Sequence, residues 1–109
     1  MTSNLSYSLP TREAARLLGM RVRAARLQRR WSVQELAERV GVTHATIHKV
    51  ERGNLSVKLG TALEAAAILG IPLFDSDRSR RRLETERARD QLALLPQLAR
   101  RPRNIDDAF

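Results

Sequence analysis

The sequence predicts an all-α fold. Three observations carry that expectation. Hydrophobic residues make up 42% of the chain but aromatics only 4%, so the core has to be aliphatic and Ala-rich, a composition that favours helices. Apolar residues recur at three- and four-residue spacings. Helix start and stop signals follow one another closely between Ser32 and Gly53. The 109 residues suit one small domain with an arm or a tail.

Residues 1–10 read as an N-terminal arm, polar and Ser-rich, with Leu5, Tyr7 and Leu9 alternating. It is either a frayed end or a short strand or arm packed on the domain. Pro10-Thr11-Arg12-Glu13 looks like a helix entry with Thr11 as the cap. From Thr11 to Arg30 the spacing of Ala15, Leu18, Val22 and Ala25 is helical, and Arg12, Arg16, Arg23, Arg29 and Arg30 mark the opposite face. Gly19 allows a break, with the main helix starting near Leu18. Trp31 reads as a partly buried staple residue. Ser32 and Glu35 then form a capping box at the start of a short helix. Leu36, Ala37 and Val40 face inward and Gly41 ends it.

Thr43 to Gly53 is the stretch around which the rest is organised. Thr43 can cap the free N–H groups of a first turn, and Gly53 suits the left-handed position after a last one. Ile47 and Val50 can share a buried face, which leaves His44, Ala45, Thr46, His48 and Lys49 pointing outward. None of these is acidic, and most can donate or accept hydrogen bonds. Two short helices, a tight Gly-containing turn and a polar second helix are the signature of a helix-turn-helix. Side chains of this kind near a helix N-terminus are what reading the major groove requires.

Asn54-Leu55-Ser56 reads as a loop, followed by a helix from Lys58 to Leu69 with Leu59, Leu63, Ala66 and Leu69 toward the core. Gly70 and Pro72 stop it. Ile71 to Asp75 is short, apolar and extended, either a loop that pins its apolar residues or a strand pairing with its copy in a dimer. Asp77 to Ala93 is highly charged, and Leu83, Ala88, Leu92 and Leu95 give it one apolar stripe, so a partly independent helix is expected. Pro96 to Phe109 cannot form a core alone and is either disordered or ordered by a partner. The expected organisation is therefore an arm (1–10), a DNA-binding and dimerisation domain (11–75), and a charged helix with a partner-binding or disordered tail (76–109).

Charge narrows the partner. The net charge of +8 points to a polyanion. The excess sits mainly in the first part: eleven Lys+Arg against five Asp+Glu up to Phe74, nine against seven thereafter. No apolar run approaches the ~18 residues needed to span a bilayer, and no secretion signal opens the chain, so a cytoplasmic, nucleoid-associated protein is expected, without a membrane partner. No cysteine is present, and two histidines alone make a poor metal site, so neither metal nor cofactor is expected. No Ser or Cys has a plausible base and there is no Gly-rich phosphate loop, which argues against an enzyme and leaves no catalytic residue to name.

The stretch from about Leu18 to Phe74 resembles the Cro/CI-type helix-turn-helix family, the Xre family. The residues that carry it are R-x-x-x-x-x-S-x-x-E-L-A at Arg26–Ala37 and G-V-T-x-A-T-I-x-x-V-E-R-G at Gly41–Gly53. The resemblance implies a compact, lambda-repressor-like bundle of four to five helices that binds a palindromic operator in double-stranded DNA as a homodimer. It implies base reading by His44, Ala45, Thr46 and Lys49, with phosphate contacts from Thr43, His48, Arg52, Asn54, Gln34 and Arg23. Arg26 and Glu51 match an ion pair tying the first helix to the reading helix. The sequence departs from many relatives at Val33, where they carry Gln.

A closer resemblance is to HipB-like antitoxins, the partners of HipA-type kinase toxins. It rests on Y-S-x-P-T at Tyr7–Thr11, the W-S entry at Trp31-Ser32, L-G-I-P-L-F-D at Leu69–Asp75, and L-x-x-x-P, R-R-P-R and D-D-x-F within Leu92–Phe109. It implies a dimer-forming strand with Ile71, Leu73 and Phe74 at the interface. It also implies toxin contacts from Leu95, Arg100, Arg101, Arg103 and Phe109. Such a chain would repress its own operon and restrain a HipA-like kinase. The alternative is a stand-alone or phage-type dimeric repressor.

Overall fold

The computed structural model describes residues 6–73 and 77–96. Five helices occur among the described residues: α1 (Leu9–Gln28), α2 (Val33–Val40), α3 (His44–Glu51), α4 (Leu59–Ile68) and α5 (Arg78–Leu94). The chain divides into two compact units, Met1–Leu73 and Phe74–Phe109. The first contains α1 to α4, with α1 packed on α3, and α2 packed on both α3 and α4.

The sequence placed the cap of α1 at Thr11, but the cap lies three residues earlier. Ser8 is the N-cap, and its hydroxyl accepts the Thr11 N–H at 3.4 Å. Pro10 therefore lies inside the first turn, where a missing N–H has no consequence. The helix also runs through Gly19 without a break. The reason for a glycine there is proximity. A Cβ on Gly19 would lie 2.5 Å from the Val50 carbonyl oxygen and 2.6 Å from that of Glu51. One on Gly53 would lie 2.8 Å from the Arg16 Cα. Backbone meets backbone where α1 crosses the end of α3.

α1 ends in a Schellman motif: Trp31 N–H donates to the Arg26 carbonyl and Arg30 N–H to that of Leu27. Arg30 occupies the left-handed position at φ 57°, the one non-glycine among the described residues with positive φ. The capping box of α2 is complete, with Ser32 Oγ accepting from Glu35 N–H at 3.0 Å and Glu35 Oε1 accepting from Ser32 N–H at 2.7 Å. Gly41 ends α2 at φ 87°, which turns the chain directly into Thr43 and α3.

Val22, Leu36, Ala37, Ile47, Val50 and Leu69 form the buried cluster, and Leu18, Ala25, Trp31, Val33, Val40 and Val42 pack against it. Each large side chain here contributes about 1.5–3 kcal/mol. α4 presents Ala65, Ala66 and Leu69 to the interior. Of the four core residues expected in it, Leu59 and Leu63 are displaced: they are 73% and 39% exposed. Leu63 is rotated off the core-facing arc. Leu59 stands in the first turn, on the rim of a groove lined also by Ala15, Leu18, Leu55, Val57 and Ala62.

Residues 71–73 do not form the expected strand, and no strand occurs among the described residues. The Ile71 N–H donates to the Ala66 carbonyl at 2.8 Å, closing the end of α4, and its side chain packs against the core. Pro72 has no N–H to offer a ladder. Leu73 is exposed, and Phe74, the third expected interface residue, lies outside the described residues.

α5 belongs to the second unit. Asp77 caps it by accepting the Ser79 N–H at 2.8 Å. It buries no residue, so Leu83, Ala88, Leu92 and Leu95 are all exposed.

Candidate nucleic-acid interface

The geometry of α3 follows from which of its residues are held. Thr43 Oγ1 accepts the Thr46 N–H at 3.2 Å and lies 2.9 Å from Thr46 Oγ1, so the two hydroxyls share the cap. Ile47 and Val50 are buried, and they fix the rotation of the helix about its own axis. His44, Ala45 and Lys49 are then exposed, with Thr46 and His48 half-buried beside them. His44 and His48 stand one turn apart and their rings meet edge to face, with centroids 4.6 Å apart.

The far end of α3 is braced to α1. Arg26 Nε donates to Glu51 Oε2 at 2.7 Å and Nη2 to Oε1 at 3.0 Å, a bidentate pair. Its remaining nitrogen, Nη1, donates to the Trp31 carbonyl at 2.9 Å. Arg26 is only 7% exposed. The hydrogen bond donated to the Glu51 carboxylate raises the pKa of the guanidinium despite the opposing effect of burial, so it stays charged. One side chain thus joins α1, the α1–α2 junction and the reading helix. Above that junction the Trp31 ring lies near two guanidinium groups, 4.0 Å from Arg39 and 5.5 Å from Arg29.

The residues expected to meet phosphate are spread over four elements. Arg52 is the exposed C-cap of α3. Asn54 follows, and its Oδ1 accepts from the Ser56 N–H at 2.8 Å and from Ser56 Oγ at 2.6 Å, which shapes the loop. Gln34 is exposed in the first turn of α2, donating to Glu38 at 3.2 Å, and Arg23 is exposed on α1. Val33, where relatives carry Gln, packs half-buried against the core. Sequence reasoning missed Lys58 and Thr61. With Thr46, Lys49 and Ser56 they line a cleft of about 250 Å³ beside α3. Leu95 is exposed at the end of α5, whereas Arg100, Arg101, Arg103 and Phe109 lie outside the described residues.

Two short helices at a glycine turn, the second held by its inner face and bare on its outer one, define a helix-turn-helix DNA-binding protein. The sequence model of a helix-turn-helix domain family matches residues 17–80, more than half of the chain, and the chain belongs to that family. A search of the curated proteins finds no match. No helix among the described residues is long and apolar enough to cross a membrane.

Proposed function

We propose that this chain is a dimeric, sequence-specific repressor and the antitoxin of a toxin–antitoxin pair, autoregulating its operon and neutralising a HipA-like kinase. The observation that carries the DNA half is α3 itself: its outer face carries no acidic residue, and its inner face and last turn are fixed to the domain. Lys49 toward guanine O6 and N7, and Ala45 toward a thymine methyl, are the chemically natural pairings. His44 and Thr46 complete the reading set. Thr43, His48, Arg52, Asn54, Gln34 and Arg23 hold the phosphates. Two copies place two such helices in half-sites about one helical turn apart on a palindrome. Bound at a promoter, the dimer excludes polymerase.

The antitoxin half rests on the HipB-like segments at both ends of the chain and on α5, a 17-residue helix with no buried residue. Most helical stability comes from packing an apolar face, so a helix with none buried gains most from a partner.

Two experiments test these halves separately. Selection of duplexes from a random library should return a palindrome with half-sites one turn apart, and an unpatterned pool would remove the repressor reading. A pull-down from host lysate with the full chain and with a copy ending at Leu95 should retain a kinase on the full chain alone. If neither copy retains one and both bind the palindrome, the protein is a stand-alone repressor.

A further inference from the structure

The two histidines, discounted as ligands from the sequence, are brought together by α3. An imidazole–metal bond of about 2.0–2.1 Å puts a ring centroid about 3.2 Å from the ion. Two rings on one ion are then about 4.5 Å apart at a right angle and about 5.2 Å apart at the tetrahedral angle. The observed 4.6 Å, with the ring planes 85° apart, suits the right angle of cis square-planar or octahedral coordination once each ring turns a nitrogen toward the ion. His44 is exposed and His48 half-buried on one face of the helix, so water has room to complete the shell. No group of three or more His, Cys, Asp or Glu that could hold a metal occurs among the described residues, so the pair is considered as two ligands only.

We propose that His44 and His48 form a two-imidazole site for a late first-row divalent cation of the Ni²⁺ or Cu²⁺ kind, and that its occupation switches off sequence reading. The second half rests on the function proposed above. A bound ion withdraws His44 from base reading and His48 from its phosphate contact, and sets a hydrated dication on that face. Its charge favours any phosphate backbone, so the loss falls on discrimination rather than on duplex binding as such.

The test uses the untagged full chain. Calorimetric titration with NiCl₂ should show one ion per chain, with ZnCl₂ held more weakly. His44→Ala and His48→Ala should each weaken Ni²⁺ at least tenfold. His44 is exposed, so its variant keeps the fold and remains informative even if the other does not. Absence of Ni²⁺ binding, or equal affinity in His44→Ala, overturns the site. In the second arm, the ratio of affinities for the selected palindrome and a scrambled duplex should fall at least tenfold with Ni²⁺. In His44→Ala that ratio, whatever its level, should not respond to Ni²⁺. Unchanged discrimination in the metal-bound wild type overturns the switch. The calorimetry needs no DNA, so it decides the site even if the chelator-treated chain shows no sequence preference, a result that overturns the proposed function instead.

Discussion

Removing the Arg26 guanidinium should unfold the first unit near room temperature or bring it close to that point. The side chain makes three hydrogen bonds of 2.7, 3.0 and 2.9 Å, two of them to a carboxylate. The paired side chains are 9% and 6% exposed, so solvent screens the pair little. Arg26→Ala leaves the Glu51 carboxylate buried and uncompensated, a loss of about 3–5 kcal/mol. A domain this size is stable by only about 4–11 kcal/mol. The expected fall in unfolding midpoint is roughly 15–30 °C, followed by far-UV circular dichroism. The raised pKa gives the sign of the pH effect: the arginine's share is fully present below its unfolded value and is lost only as pH rises through the higher folded value. Near neutrality the guanidinium therefore adds no slope. Arg26→Met with Glu51→Leu removes both charges together and should recover much of the loss, giving a coupling of about 2 kcal/mol or more. A loss below about 1 kcal/mol in Arg26→Ala, or strict additivity in the double variant, would refute the brace.

Gly19→Ala should destabilise by about 3 kcal/mol in urea titration, because the new methyl meets two backbone oxygens that cannot rotate aside; a neutral result would show that α1 can back away from α3. Arg30→Gly should instead stabilise by about 1 kcal/mol, since a left-handed residue loses its steric penalty at an exposed site. An unchanged midpoint would mean that Arg30 suffers no strain. Lys49→Ala should relax preference at one base pair per half-site, by about 1–3 kcal/mol, in repeated duplex selection. Equal weakening on every sequence would place Lys49 on phosphate.

The centre of the fold was legible because its signals are local. The capping box at Ser32, the glycine after α2 and the cap at Thr43 each act within a few residues, and each expected contact is present. What failed depended on partners distant in sequence. Helical periodicity placed Leu59 and Leu63 inward, yet the space beside α4 admits alanines, and only the packing of α2 decides that. Gly19 read as a possible break because its reason, the carbonyls of Val50 and Glu51, lies some thirty residues away. Arg26 and Glu51 were paired through a resemblance, not through spacing. At the site, burial of Ile47 and Val50 correctly implied which side chains of α3 face out, whereas Lys58 was missed because nothing local ties it to Lys49.

The reading helix is held almost entirely through its inner residues and its last turn: Ile47, Val50, Glu51 and the glycine that follows. His44, Ala45 and Lys49 contribute nothing to that attachment. Most surface substitutions away from such features stay within about 0.5 kcal/mol. A lineage carrying this fold can therefore exchange the three residues, and with them the operator it answers to, while the domain's stability barely registers the change. New specificity is accessible by single steps through folded intermediates.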